Sequence, residues 1–418
     1  MSLLIVAGTR PEAIKLAPVL WNLRREEYVF VWSGQHYDYE MSRIFFEQLR
    51  LPEPDVDLNV RSGTHAEQTA KSMVGLEREI LTRKPRAVVA LGDTNTTLAA
   101  ALAAAKTNTP FIHLEAGMRS WDKTMPEEIN RIVADHVADV LIAFTQLAKI
   151  YLAHEGIPLD KIYVTGSTEV DVIYKYKDEI EKKGKEMLNT LDLDPGEYVL
   201  ATVHRAGNVD SPDTLREILA AFNEISKQYK VVIPLHPRTR NAIKTYGFDH
   251  MIKNLYALPP LGYFEFLGLL KYAKAVLTDS GGVQVDACTL GIPMVVLRYT
   301  TEYPECIVVG LAKLAGTKHE DILTAFNSVI SERVPNTNPL GDGKAGEKIA
   351  DLLRTADIRI EAPDLRKTPL ILYTIVAEPS NDEIIVCYDQ QGYPSDGNKH
   401  LCLVRKRLTT FFYRKLDK

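Results

Sequence analysis

The chain has 418 residues, 45% of them hydrophobic and 25% charged, a balance that suits folded domains and leaves little room for extended disorder. That length exceeds what one compact core serves and predicts two domains with a cleft between them. With 50 Lys plus Arg against 55 Asp plus Glu the formal charge is -5, so no overall basic field attracts nucleic acid or anionic lipid, and any anion must be bound by local groups.

The N-terminus runs Met1-Ser-Leu-Leu-Ile-Val-Ala-Gly8 straight into an apolar run, without the basic segment and longer apolar stretch of a signal peptide. No apolar run reaches the roughly twenty residues that span a bilayer. The four cysteines, Cys288, Cys306, Cys387 and Cys402, form no C-x-x-C pair, which argues against a disulfide framework or zinc ribbon and for a reducing compartment. The chain reads as cytoplasmic, with no membrane partner.

Through residue 360, short apolar runs alternate with longer helical patterns, the signature of βα units that build parallel sheets. The expected strands of the first half are 3–7, 29–33, 87–91, 111–114, 140–143 and 162–165. After the first comes Gly8-Thr-Arg-Pro-Glu-Ala-Ile-Lys15, where Gly8 turns the chain and Pro11 starts a helix. Arg10 offers a planar fork and Lys15 a point charge near that helix N-terminus, a candidate anion site. Pairing of Arg10 with Glu12 is the competing structural use of the same residues.

Three acids follow later strand ends: Asp93 in Leu91-Gly-Asp-Thr-Asn-Thr96, Glu115 in His113-Leu-Glu-Ala-Gly117, and Glu127 in Met125-Pro-Glu-Glu-Ile-Asn-Arg131. Carboxylates gathered at one cleft suit proton transfer, since like charges and burial separate an acid from a base. Each also has a structural use. Asp93 can cap the Ala-rich helix, Glu127 and Glu128 can pair with Arg131, and Glu115 can bond backbone amides.

Between Lys175 and Asn189 the composition shifts to Lys and Glu, and Leu193-Asp-Pro-Gly196 punctuates the chain before a new strand at 198–202. A second domain is expected there, giving residues 1–175 and 190–360 as two domains and 363–418 as an extension. Its further strands are 231–235, 275–277 and 294–297. His204 and Arg205 close the first of these strands with an imidazole and a guanidinium, and His236 holds an equivalent strand end. Among 10 histidines no spacing supplies metal ligands, so no metal is expected.

The strand at 275–277 empties into Asp279-Ser-Gly-Gly282 just before a helix. Two glycines admit an anion close to the backbone, and the first helical turn aims free N–H groups and about half a positive charge at it. Ser280, Gly281 and Gly282 therefore form a candidate phosphate cradle, with Ser280 as a plain N-cap the structural alternative. Neither glycine loop is a G-x-G-x-x-G or Walker motif, so nicotinamide or kinase chemistry lacks support. In open α/β sheets ligands sit outside the carboxyl ends of the strands, where all of these loops lie. Beyond Pro363 the pattern turns to period-two stretches at 370–376, 383–388 and 401–413, a short β-rich tail.

Gly8-Thr-Arg-Pro-Glu-Ala-Ile-Lys15, Gly34-Gln-His36, Gly92-Asp-Thr94, Glu115-Ala-Gly117, Pro126-Glu-Glu128 with Asn130-Arg131, His204-Arg205 and Thr278-Asp-Ser-Gly-Gly282 together resemble the non-hydrolysing UDP-N-acetylglucosamine 2-epimerases over residues 3 to 354. The resemblance implies two Rossmann-like, doubly wound domains facing a cleft in the GT-B arrangement, a UDP-sugar substrate, no added cofactor and a homodimer. It implies elimination of UDP to 2-acetamidoglucal and re-addition to the opposite face, giving UDP-N-acetylmannosamine. By similarity Asp93, Glu115 and Glu127 are the acid-base candidates, which of them is the base being left open, and His204 assists at the diphosphate. Arg10, Ser280, Gly281 and Gly282 would hold phosphates, with Lys15 completing the charge neutralisation. Phe266 would pack on uracil and Asp286 would bond the ribose. Gln35, His36 and Arg205 match a site of activation by substrate in some members.

The chain departs from that pattern in three places. Gln284-Val-Asp286 stands for Gln-Glu-Glu, Tyr303 for an Arg, and Gly207 for the Glu of archaeal-type sequences. These touch the identity of the sugar more than the nucleotide. A hydrolysing relative releasing N-acetylmannosamine, a UDP-sugar glycosyltransferase of the same architecture and a non-catalytic sugar-nucleotide sensor are the competing functions.

Overall fold

The computed structural model describes residues 2–35, 46–331 and 338–356, and beyond these the backbone of strands 383–388, 401–406 and 411–414. Seven strands form one parallel sheet: β1 (Leu3–Ala7), β2 (Tyr28–Trp32), β3 (Val56–Asp57), β4 (Ala87–Leu91), β5 (Phe111–Leu114), β6 (Val140–Ala143) and β7 (Ile162–Val164). Their order across the sheet is 3-2-1-4-5-6-7. A second parallel sheet takes β8 (Tyr198–Thr202), β9 (Lys230–Pro234), β10 (Tyr256–Leu258), β11 (Ala275–Thr278), β12 (Met294–Val296) and β13 (Ala312–Leu314) in the order 10-9-8-11-12-13. Helices surround both, as the alternating pattern predicts. Strand ends differ from expectation by a residue or so, and β3, β10 and β13 were not expected at all.

The central strands read as unbroken apolar runs because they are covered on both faces; Leu3–Ala7 and Ala87–Leu91 are buried along their whole length. In each sheet the strand order reverses once, between β1 and β4 and between β8 and β11. Connections leave such a pair toward opposite faces, so a crevice opens at their carboxyl ends. The Gly8 and Gly92-Asp93 loops flank the first crevice, and His204-Arg205 and Asp279-Ser280 the second.

Among the described residues the chain passes between the two sheets twice. After β7 the helix Thr168–Lys175 lies against the helix Arg10–Asn22, and the next, Lys177–Leu191, packs on Tyr263–Tyr272 of the second half. The last helix, Ala345–Thr355, returns to the first half and packs on Arg10–Asn22. Asp171 fixes its start by accepting from Ala345 N at 3.1 Å and Gly346 N at 2.7 Å. Gly346 is required there, because a Cβ would meet the Pro18 carbonyl at 2.5 Å. Where the passages adjoin, Ser167 N donates to Leu340 O at 2.7 Å.

The apolar core continues through this crossing. Leu3, Ile5 and Trp32 from the first sheet and Leu200, Val276 and Met294 from the second belong to one buried cluster, with separate clusters on the outer face of each sheet. In the tail, β14 (Glu383–Tyr388), β15 (Leu401–Lys406) and β16 (Phe411–Arg414) form a three-stranded antiparallel sheet. The expected stretch 370–376 lies outside the described residues, and the expected run 401–413 is two strands.

Candidate active site

Gly8 ends β1 where the backbone presses against its neighbours: a Cβ would come within 2.3 Å of both Thr96 Oγ1 and Ser33 Oγ. The helix that follows is capped by its own Glu12. The Glu12 carboxylate accepts from Gly8 N at 2.8 Å, Thr9 N at 2.8 Å, Thr94 Oγ1 at 2.6 Å and Thr97 Oγ1 at 3.2 Å. The amides of Gly8 and Thr9 therefore serve a carboxylate of the chain itself. Burial raises the Glu12 pKa against those hydrogen bonds.

Lys15, one turn on from the exposed Arg10, is engaged rather than free. Its Nζ lies 3.0 Å from Glu115 Oε2 and 3.7 Å from Glu169 Oε2. Burial opposes its charge, but Glu115, Glu169 and Tyr303 outweigh burial and push the ammonium pKa well up. Glu115 follows β5 with φ 65°, a left-handed backbone that a non-glycine residue adopts only where its surroundings impose it. There its Oε2 stands 3.6 Å from where a Cβ of Gly92 would sit, so Glu115 and the Gly92-Asp93 turn face each other.

Asp93 does not cap its helix. Thr94 does, accepting from Thr97 N, and the Asp93 carboxylate takes Arg131 Nη2 at 2.5 Å. Arg131 is buried and serves three carboxylates, Asp93, Glu128 at 2.8 Å and Glu302 of the second half at 3.6 Å. Of the adjacent acids it is thus Glu128 that pairs with Arg131, and Glu128 also accepts from Ser120 N and Trp121 N. Glu127 is exposed, and its carboxylate has no hydrogen bond or ion pair among the described residues. The structure brings Glu115 and Lys15 together beside the Gly92-Asp93 turn, and the helix that Glu127 opens reaches the same turn through Asn130 and Arg131.

On the opposite side Asp279, fully buried, organises the strand ends of the second sheet. It accepts from His204 N at 2.9 Å, Arg205 N at 2.9 Å and Asn208 Nδ2 at 3.1 Å, and it pairs with His204 Nδ1 at 3.0 Å. Burial would raise its pKa; the His204 ring and these donors overcome that and lower it. Arg205 Nε donates to Asp279 O at 2.9 Å, and its guanidinium stands beside Gly281. His236 lies 5.5 Å from the His204 ring, centroid to centroid, and burial followed by the nearby His204 lowers its pKa.

Ser280 is the N-cap of the helix Gly281–Leu290, its Oγ accepting from Val283 N at 3.5 Å, while Gly281 and Gly282 form the first turn. Asp286 is buried further along, 3.5 Å from Tyr263 Oη. Burial, then the neighbouring Glu169, holds its carboxyl well above the usual range. Phe266 is half-buried on the adjoining helix against the shared core. Gln35 is buried, with its Oε1 accepting from Thr96 N at 3.1 Å and Thr96 Oγ1 at 2.9 Å, and so ties β2 to the helix after β4. His36 lies outside the described residues. Among the described residues no group of His, Cys, Asp and Glu could hold a metal, and no helix is long and apolar enough to cross a membrane.

Sequence reasoning missed Glu12, Arg131, Glu169 and the Arg298–Glu302 pair. Arg298 Nη1 lies 2.6 Å from Glu302 Oε2 inside the cleft, and Glu302 faces Arg131 and Arg205 as well. Burial opposes the Glu302 charge, but Arg298, Arg131 and Arg205 outweigh it and lower the pKa to about 2. Three spacings were readable signals, Glu12 three residues after Thr9, Arg131 three after Glu128 and Glu302 four after Arg298; the contacts of Glu169 with Lys15 and of Glu302 with Arg131 join residues far apart in the chain.

A family model described as UDP-N-acetylglucosamine 2-epimerase matches residues 22–354. The chain is 42% identical over 362 residues to the UDP-N-acetylglucosamine 2-epimerase of Methanocaldococcus jannaschii, which covers 84% of this chain and 99% of that protein. It is 38% identical over 360 residues to the UDP-2,3-diacetamido-2,3-dideoxy-D-glucuronate 2-epimerase of Pseudomonas aeruginosa, covering 84% and 99%. The fold is similar to the crystal structure of the M. jannaschii enzyme in complex with UDP-GlcNAc and UDP, with TM-score 0.79 and 41% identity over 85% of this chain and 99% of that one. It is also similar to the Neisseria meningitidis enzyme bound to UDP-GlcNAc, with TM-score 0.77 and 32% identity over 85% and 100%.

Proposed function

This chain belongs to the UDP-N-acetylglucosamine 2-epimerase family, and from that premise we propose that it interconverts UDP-N-acetylglucosamine and UDP-N-acetylmannosamine without hydrolysis. The reading is supported by one observation above all. Carboxylates paired with Lys15 and Arg131 face, across the cleft, a glycine turn flanked by His204 and Arg205.

The chemistry has two halves. A base takes the proton from C2 of the sugar, the C–H electron pair becomes the C1–C2 double bond, and the C1–O pair leaves with UDP, giving 2-acetamidoglucal. In the return step a proton is delivered to the other face of C2 and the UDP oxygen bonds C1 again. No water is consumed and no redox cofactor is needed. Two faces require two groups on different loops, as Asp93 and Glu115 are, with Glu127 the third candidate. Lys15 and Arg131 fix the first two carboxylates and supply positive charge beside them. The leaving diphosphate gathers charge, and we assign the Gly281 and Gly282 amides, His204 and Arg10 to meet it. Phe266 and Asp286 are assigned to uracil and ribose, Gln35, His36 and Arg205 to activation by substrate, and the working unit to a cytoplasmic homodimer.

The similarity to the diacetamido-glucuronate enzyme favours a second reading, the same reaction on a sugar with a further acetamido group at C3. Proton NMR of UDP-N-acetylglucosamine with enzyme in deuterated water tests both readings. The expected result is UDP-N-acetylmannosamine with deuterium at C2. Free N-acetylmannosamine with UDP would favour a hydrolysing enzyme, and no change in this sugar alone would favour the diacetamido substrate.

A further inference from the structure

Glu169 belongs to no motif and has no part in the chemistry assigned above, yet it points into the phosphate turn. It sits in the first turn of the helix Thr168–Lys175, only 7% exposed. Its Oε2 accepts no hydrogen bond and stands 3.7 Å from Lys15 Nζ. Its Oε1 lies 3.7 Å from where a Cβ of Gly282 would be, and it is the one atom such a Cβ would meet within 4 Å. The space in front of the Gly282 backbone is thus bounded by this carboxyl.

The charges facing Glu169 come from every neighbouring element. Lys15 lies on the helix Arg10–Asn22, Glu115 after β5, Asp286 on the helix Gly281–Leu290, Tyr263 on the helix Tyr263–Tyr272, and Tyr303 just before Pro304–Val308. Three carboxyls, Glu169 and Asp286 buried and Glu115 partly so, share one ammonium, and Glu115 holds that ammonium at 3.0 Å. Such a group of acids cannot all stay ionised. A diphosphate set against Gly281 and Gly282 adds more negative charge to the same place.

We propose that Glu169 is the neutral acid in the nucleotide complex, its carboxyl O–H donating to a phosphate oxygen at the Gly281–Gly282 turn, so that binding takes up a proton. This rests on the reading that the turn holds the diphosphate of a UDP-sugar. The proton comes from solvent, no covalent bond to the substrate forms or breaks, and the complex carries one charge fewer than ligand and free enzyme combined. Burial, then repulsion from Glu115 against the pull of Lys15, raises the Glu169 pKa to about 7, so the free protein is partly ionised there at neutral pH. Glu169 is therefore a positioning residue for the leaving diphosphate that also makes affinity depend on pH.

The test is calorimetric titration of the whole chain with UDP-N-acetylglucosamine, whose doubly esterified diphosphate does not itself titrate near neutrality, in buffers of differing ionisation enthalpy. Near pH 7.5 we expect uptake of up to roughly three quarters of a proton per site, with affinity falling toward tenfold per pH unit above that range. Glu169→Gln, a neutral donor of the same shape, abolishes the uptake, flattens the pH dependence and binds as tightly as the parent does in acid. Binding without proton uptake in the parent overturns the proposal alone. Uptake that survives in Glu169→Gln assigns the proton to His204 or Asp286 and overturns it too. No binding at any pH removes both the proposal and the reading beneath it.

Discussion

Arg131 reaches out of the first half of the molecule to Glu302 of the second, 3.6 Å from its Nη2 to Glu302 Oε1, while the same nitrogen holds Asp93 at 2.5 Å. One guanidinium thus fixes a candidate acid-base group and spans the cleft. Arg131→Ala leaves the buried Glu128 without its cation, while Glu302 keeps Arg298, and breaking a buried ion pair costs about 3–5 kcal/mol. Urea denaturation should show a loss of that size, partly recovered in the double variant Arg131→Met with Glu128→Gln. A loss below about 1 kcal/mol would place these charges in solvent.

Asp93→Asn and Glu115→Gln keep shape and remove basicity. Each should lower turnover about 10²- to 10⁴-fold, the usual contribution of general acid-base catalysis, while UDP affinity stays within a few-fold. Steady-state rates together with titration by UDP separate the two effects. Full turnover in both variants would remove these carboxylates from the reaction.

Arg10 stands exposed at the start of its helix, on the loop whose amides Glu12 occupies. Phosphate contacts act in the ground and transition states alike, so Arg10→Ala should weaken UDP-sugar binding and slow the reaction together. Unchanged affinity and unchanged rate would assign Arg10 to the surface.

Glu302 gives a pH dependence whose sign can be worked out. Its folded pKa, about 2, lies below the ordinary 4.5, so its contribution is present above pH 4.5 and is lost as the pH falls toward 2. A shift of that size corresponds to about 3 kcal/mol. Denaturation midpoints of Glu302→Gln should therefore fall less steeply than those of the parent across this window. Parallel slopes would show that the three arginines do not act on Glu302.

Gly346 tests the return of the last helix. Its missing Cβ is what lets Ala345–Thr355 lie against the Pro18 carbonyl, so Gly346→Val should cost about 1–3 kcal/mol or more through overpacking. Thermal unfolding measures it. An unshifted midpoint would mean that the helix can move aside without loss.

The sheets and strand-end loops were legible because long apolar runs bounded by glycine and polar residues carry their own local signal. Strands β3, β10 and β13 escaped because two or three residues at or near a sheet edge leave almost no period to read. Within the site, Asp93, Glu115, His204 and Ser280 stood out by position alone. Their partners did not: Glu302 lies 171 positions after Arg131, and Glu169 lies 154 after Lys15, so only the fold brings these charges together. The assignment of a cap to Asp93 failed for a local reason, since Thr94 beside it has the short hydroxyl that the amide of Thr97 needs.

The two passages of chain between the halves lie side by side, stitched by the Ser167 to Leu340 hydrogen bond, with Gly166 and Gly341 packed against each other. A paired strap of this kind works like the spine of a book. With the two crossings joined along one line, any sliding of one half against the other would have to break this hydrogen bond and part the two glycines, so the strap holds the facing loops in register.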